Sequence, residues 1–323
     1  MVREGIAVAG SILVDKLNEI GAYPSEGELT KILSVKRAVG GCVPNVAVDL
    51  KRITPSMPVF AMGKIGNDED GSYAMDVLQK EQVNTDMVAV SSDQTSFTDV
   101  MSISGGQRTF FTFAGASSSF GLDDMPMEKL TCQMLHLGYF LLLDKVDAGD
   151  GEKILRKAKE LGIRTSIDLV SENSDRYHIV LPCLPYTDNL IINEVEAGAL
   201  TGIEPKKENL RKIAETLKSL GVKERVIIHA PEVGVCCSDD GFTYLPSYDL
   251  PSGFIKGTTG AGDAFCAGSL TAIYQGKSDL EILEFASAAA VAALSETDAV
   301  SGMRSEEKIK ELCKDFRRKE ICL

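Results

Sequence analysis

The chain has 323 residues, 44% of them hydrophobic and 25% charged, a balance that suits one large or two smaller globular domains and excludes disordered and collagen-like classes. A formal charge of −13 argues against a nucleic-acid surface, which needs a basic stripe. No stretch approaches the ~18 apolar residues of a membrane span. The eight cysteines form no CxxC pair and His136, His178 and His229 lie far apart, so reduced cysteines in a cytoplasmic protein are expected.

In chain order, "GIAVAGSILV" reads as a first buried strand ending at Asp15, and "PNVAVDLKRI" as a helix leading to the strand "PVFAMGKIG". "MLHLGYFLLL" predicts a strand, "GEKILRKAKELG" a helix stopped by Gly162, and "RTSIDLV" the next strand. "NLIINEVEAGALTG" predicts a strand running into a helix. "NLRKIAETLKSLG" puts Leu210, Ile213, Ala214 and Leu217 on one helical face before the strand "RVIIHA". Helices closed by glycine and followed by short β-branched strands imply crossover units, hence a layered α/β sandwich with a mostly parallel sheet. Residues 29–39 and 95–114 break the rhythm: they alternate polar and apolar residues around Gly105-Gly106, as antiparallel strands with one wet face and a hairpin turn do. Such strands serve as a lid, a dimer contact or a sheet extension. With no repeat or linker in view, residues 1–323 read as one domain.

"KGTTGAGDAFCAGS", residues 256–269, is where the chemistry concentrates. The run after Gly262 is helical, so the amides of Gly260, Ala261, Gly262 and Asp263 fall in its first turn, where free N–H groups and the helix dipole attract an anion such as phosphate. Glycine lets the phosphate approach the backbone. Asp263 would repel that phosphate, but it suits a base that takes a proton from an attacking hydroxyl. A plain tight turn with a first-turn acid would also give this string. GxxxxGK[ST] is absent, and so is a GxGxxG after the first strand, which sets aside P-loop and dinucleotide folds.

"TTGAGDAFCAG" resembles the C-terminal signature of the ribokinase-like (PfkB) family of sugar and nucleoside kinases, and the resemblance covers nearly the whole chain. "VGGCVPNVAVDL" (39–50), "GKIGNDEDG" (63–71) and "NEVEAGALTG" (193–202) are similar to its other motifs, in the same order. The resemblance implies an α/β/α sandwich with a small β lid from about residues 12–39 and 94–115. It implies an ATP-dependent transfer of the γ-phosphoryl group to a primary hydroxyl of a small fructose- or ribose-like sugar. Asp263 would be the base, with Gly260, Ala261 and Gly262 in the anion hole. Asp15, Gly40, Gly41 and Asn45 would hold the sugar, and His229 and Gly234 would face the nucleotide. Asn193 and Glu196 would organise Mg²⁺ through water. A homodimer through the lid is expected. A nucleoside kinase, or a sensor that binds without turnover, is the alternative.

Some positions depart from the family pattern. Gly257 stands where an acid is usual, and His229 and Pro231 replace a threonine and a glycine. "DLVSEN" replaces the usual Asp-x-Asn, which leaves Asp168 without an assigned role, and Val300 and Ser301 fall where a Gly-Ala turn is usual. Activation by a monovalent cation is therefore doubtful. Arg108 reads as a solvated hairpin charge.

Overall fold

The computed structural model describes residues 3–103 and 108–321. The expected Gly105-Gly106 turn lies outside the described residues. The chain opens with β1 (Ile6–Ala9), β2 (Leu13–Ile20), β3 (Ile32–Gly40) and α1 (Cys42–Ile53). β4 (Val59–Gly66), α2 (Glu69–Lys80), β5 (Asn84–Ser91), β6 (Ser96–Ser102), β7 (Arg108–Phe113) and the single turn α3 (Gly115–Ser118) follow. The middle holds β8 (Met134–Phe140), α4 (Gly151–Glu160), β9 (Arg164–Leu169), β10 (Asn189–Asn193), α5 (Glu194–Thr201) and α6 (Leu210–Ser219). The last part runs through β11 (Arg225–His229), β12 (Val233–Ser238), β13 (Gly241–Pro246), α7 (Ala261–Tyr274), α8 (Asp279–Leu294) and α9 (Glu306–Cys313).

Among the described residues the main sheet has nine strands in the order β13-β12-β11-β10-β9-β8-β1-β4-β5. All neighbours from β11 to β5 pair in parallel, while β12 and β13 form an antiparallel edge. β1 shows why the sheet is buried on both faces. Ile6 and Val8 enter a core with α1, α2, α7, α8 and α9, whereas Ala7 and Ala9 enter a second core with α4, α5 and α6. Helices on both sides of a parallel sheet make the expected α/β/α sandwich. In α6, Leu210, Ile213, Ala214 and Leu217 are all buried, as the 3.6-residue period requires.

Two expectations are corrected. The first apolar run is two strands, not one: β1 stops at Ala9, and β2 belongs to a separate four-stranded sheet in the order β3-β2-β6-β7. Asp15 is therefore the third residue of β2 rather than the end of a first strand. The smaller sheet is also not wholly antiparallel, because β2 and β6 pair in parallel. Each leaves the main sheet within a few residues of a strand that is itself parallel to the other's, β1 for β2 and β5 for β6. Both therefore project the same way.

Candidate active site

The site is built at the mouth of α7. Gly260 turns the chain with φ +78°, and a Cβ there would fall 2.5 Å from Ala299, so only glycine is accommodated. The Ala264 N–H returns to the Gly260 carbonyl at 2.8 Å and starts the helix. The sequence placed four free amides here. Ala261 differs, because its N–H bonds the Thr258 carbonyl at 3.3 Å and tightens the entry turn. The amides of Gly260, Gly262 and Asp263 have no partner among the described residues.

Asp263 lies in that first turn and is 8% exposed. Asn45 donates its Nδ2–H to Oδ2 at 2.9 Å, and the Tyr139 hydroxyl lies 3.0 Å from both carboxylate oxygens. Burial, reinforced by the charge of Asp168, pushes the Asp263 carboxyl up to about 7, and the Asn45 and Tyr139 donors partly oppose that rise. Asn45 was expected to face a ligand. Its amide nitrogen donates to Asp263, while its buried Oδ1 has no partner. Tyr139 was missed. It follows Gly138 with φ +61°, and its own N–H donates to Asp168 Oδ1 at 2.6 Å, so one residue ties two acids together. Nothing in strand periodicity marks such a side chain.

On one flank lies a cavity of about 370 Å³ lined by Asp15, Arg108, Lys256, Thr259 and Asp298 among others. Asp15 reaches it from β2, opposite Ala38 in β3. A Cβ on Gly40 would stand 2.5 Å from its Oδ2, so that glycine makes room for the carboxylate. Gly41, with φ +88°, sits against Ser11 and starts α1, which carries Asn45. Burial raises the Asp15 carboxyl to about 6. Arg108 is not merely solvated: its guanidinium donates to Thr259 Oγ1 and, at 3.5 Å, to the Thr297 carbonyl. It therefore ties β7 to the loop that enters α7.

The other flank is a larger cavity of about 590 Å³, lined by Asn193, His229, Gly234, Thr258, Ala261 and Gly262 among others. Burial depresses the His229 imidazole to about 4, so the ring is neutral near pH 7, and it packs on Phe265 with centroids 4.9 Å apart. Gly234 sits beside His229 across the β11–β12 ladder. Asn193 and Glu196 form a capping box: Asn193 Oδ1 accepts the Glu196 N–H at 2.9 Å, and Glu196 Oε2 accepts the Asn193 N–H at 3.1 Å. Glu196 also accepts from Ser171 Oγ at 2.7 Å, and burial raises its carboxyl to about 7. These donors are all hard oxygens, and a carboxylate held up by desolvation gains from a nearby cation, so they fit water-mediated Mg²⁺. A third, small cavity shares Asn193, His229 and Gly262 with the larger one and also touches Asp263, Gly260 and Glu196. The expected residues from distant parts of the chain therefore meet around residues 258–263.

The loops expected to hold a monovalent cation are packed against each other. A Cβ on Gly257 would lie 3.1 Å from the Glu296 carbonyl, Asp298 Oδ1 is held by the Val300 and Ser301 amides, and Lys256 pairs with Glu296 at 3.4 Å.

Residues 4–306 match the pfkB family of carbohydrate kinases. The chain is 26% identical to ribokinase of Arabidopsis thaliana over 96% of its length and 81% of that protein. It is equally, 26%, identical to probable fructokinase-7 of Arabidopsis thaliana, over 95% of its length and 92% of the relative. The solved structure of Arabidopsis thaliana ribokinase complexed with ribose and ATP superposes with a TM-score of 0.84 at 24% identity, covering 97% of this chain and 99% of that one. Among the described residues no helix is long and apolar enough to cross a membrane. A family match over nearly the whole chain, on a ribokinase-like fold, leads to one conclusion: the chain belongs to the pfkB family of carbohydrate kinases and is a phosphotransferase that acts on an alcohol group.

Proposed function

We propose that the protein transfers the γ-phosphoryl group of ATP to a primary hydroxyl of a small fructose- or ribose-like sugar, with Asp263 as the general base. The observation that carries this reading is Asp263 and the unpartnered amides of the α7 mouth in a small cavity that shares Asn193, His229 and Gly262 with the larger one, while the cavity holding Asp15 reaches the same entry loop at Thr259. The smaller cavity suits a sugar, because Asp15 offers it an acceptor carboxylate. The larger, more apolar one suits a nucleotide whose phosphates point at Gly260 and Gly262. At neutral pH a carboxyl poised near 7 can take a proton from the attacking hydroxyl, while the amides offset charge on the moving group. Asn193 and Glu196 would hold Mg²⁺ through water, and the ion would draw charge from the phosphate oxygens. Closure of the smaller sheet as a lid, tied by Arg108, keeps water from the transferred group. The exposed Ile32, Leu33, Val35, Phe110 and Phe111 on that sheet favour a homodimer formed through the lid.

ADP release measured over a panel of ketoses, pentoses, sugar acids, polyols and nucleosides tests the reading. Release that depends on a ketose or pentose is expected. Release with nucleosides alone would make the protein a nucleoside kinase. Binding of sugar or nucleotide without any release would make it a sensor.

A further inference from the structure

Near Asp263 lies a group of buried side chains to which the proposed phosphotransfer assigns no direct contact with substrate. We propose that Cys42, His136 and Asp168 form a buried site for a thiophilic divalent metal ion of the Zn²⁺ class. Their ligand atoms all lie within 4.8 Å of one another, and all three residues are buried.

Three elements bring them together. Cys42 is the first residue of α1. His136 and Ser166 are register partners in β8 and β9, and Asp168 lies two residues further along the same face as Ser166. His136 Nε2 stands 3.4 Å from Asp168 Oδ2 and 3.6 Å from the Cys266 thiol of α7. A tetrahedral site with metal–ligand bonds of about 2.0–2.3 Å has edges of roughly 3.3–3.8 Å, so both separations already match. The Cys266 thiol thus lies against the imidazole but outside the group of three.

The surroundings are those of a metal site rather than of a bare hydrogen bond. His136 Nδ1 bonds Ser166 Oγ at 3.0 Å, which leaves Nε2 to face the other ligands. Asp168 spends Oδ1 on the Tyr139 N–H and turns Oδ2 inward. Cys42 opens α1, which fixes its position beside the two strand residues. Gly138 keeps the space open, since a Cβ there would fall 2.0 Å from Cys42 Sγ and 2.8 Å from Asp168 Oδ1. Sulfur, imidazole and carboxylate together select zinc-like ions, whereas Mg²⁺ prefers an octahedron of oxygens such as Asn193 and Glu196 can organise.

The test is a titration of the full chain, stripped with a chelator and free of nucleotide, with Co²⁺. One equivalent should bind, with a thiolate-to-cobalt charge-transfer band and the intense visible bands of a tetrahedral ion, and Zn²⁺ should bleach both. Cys42→Ser should weaken binding by about tenfold or more and reduce the charge-transfer band. Ser166→Ala, which leaves every ligand in place, should cost ~10–100-fold in affinity. It also keeps the test decisive if Cys42→Ser fails to fold. No saturable binding, or a pale six-coordinate spectrum that neither substitution changes, would overturn the proposal.

Discussion

Asp263 has exchanged bulk water for one amide donor and one phenol donor, with a second acid close by. Such a carboxyl is a stronger base than a solvated one, yet it stays protonated until the pH nears its raised value. Activity, read as kcat/KM, should therefore climb with pH and level off above about 7. The Tyr139 hydroxyl favours the ionised carboxylate, so Tyr139→Phe should move that limb upward by about one unit, the equivalent of a charge-assisted hydrogen bond of ~1.5 kcal/mol. A limb that stays in place would show that Tyr139 only fills space. Sequence could reveal Asp263, because a carboxylate after Gly-Ala-Gly at a helix mouth has few uses. It could not reveal Tyr139 or the bond from Asn45 to Asp263. Both depend on α1, β8 and α7 converging, and no local pattern encodes which side chains meet there.

Among the elements, those with a clean period were legible. α4 and α6 show one apolar stripe each, and the parallel strands show short buried runs. α8 is apolar nearly all round, so it has no stripe to read. β2 was absorbed into the first apolar run because Gly10 to Ile12, where the chain changes sheets, are as buried as the strands they join. Arg108 is an element-level feature, for it joins β7 to the loop before α7. If the smaller sheet closes over a sugar, hydrogen exchange should show β3 and β6 protected together when sugar is added, and Arg108→Ala should lessen that protection. Protection confined to residues 257–264 would make this sheet only a dimer contact. The loops at 256–260 and 295–302 carry a separate expectation. Gly257 offers no carboxylate, and Asp298 spends Oδ1 on two amides of its own turn, so the loops bring little charge to a large monovalent ion. Exchanging potassium for a bulky organic cation at constant ionic strength should leave the rate unchanged. A several-fold drop would mean that backbone carbonyls rebuild the site.

At the scale of the molecule, the site works against the fold. Burial raises Asp15 to about 6 and Asp263 and Glu196 to about 7, so each holds its proton more tightly folded than unfolded. Over the window from about pH 4 to about pH 7 the folded state binds more protons, and the contribution of these groups to stability falls as pH rises. Asp263→Asn removes one such group. Its melting temperature should therefore gain on that of the parent between about pH 5 and about pH 8, and a constant difference would contradict the burial argument. The same variant tests the central claim most directly. Sugar-dependent ADP release by Asp263→Asn should fall by ~10²–10⁴, the usual loss for one oriented base, while calorimetric sugar binding stays near that of the parent. Release within about threefold of the parent, with binding intact, would show that Asp263 is not the base.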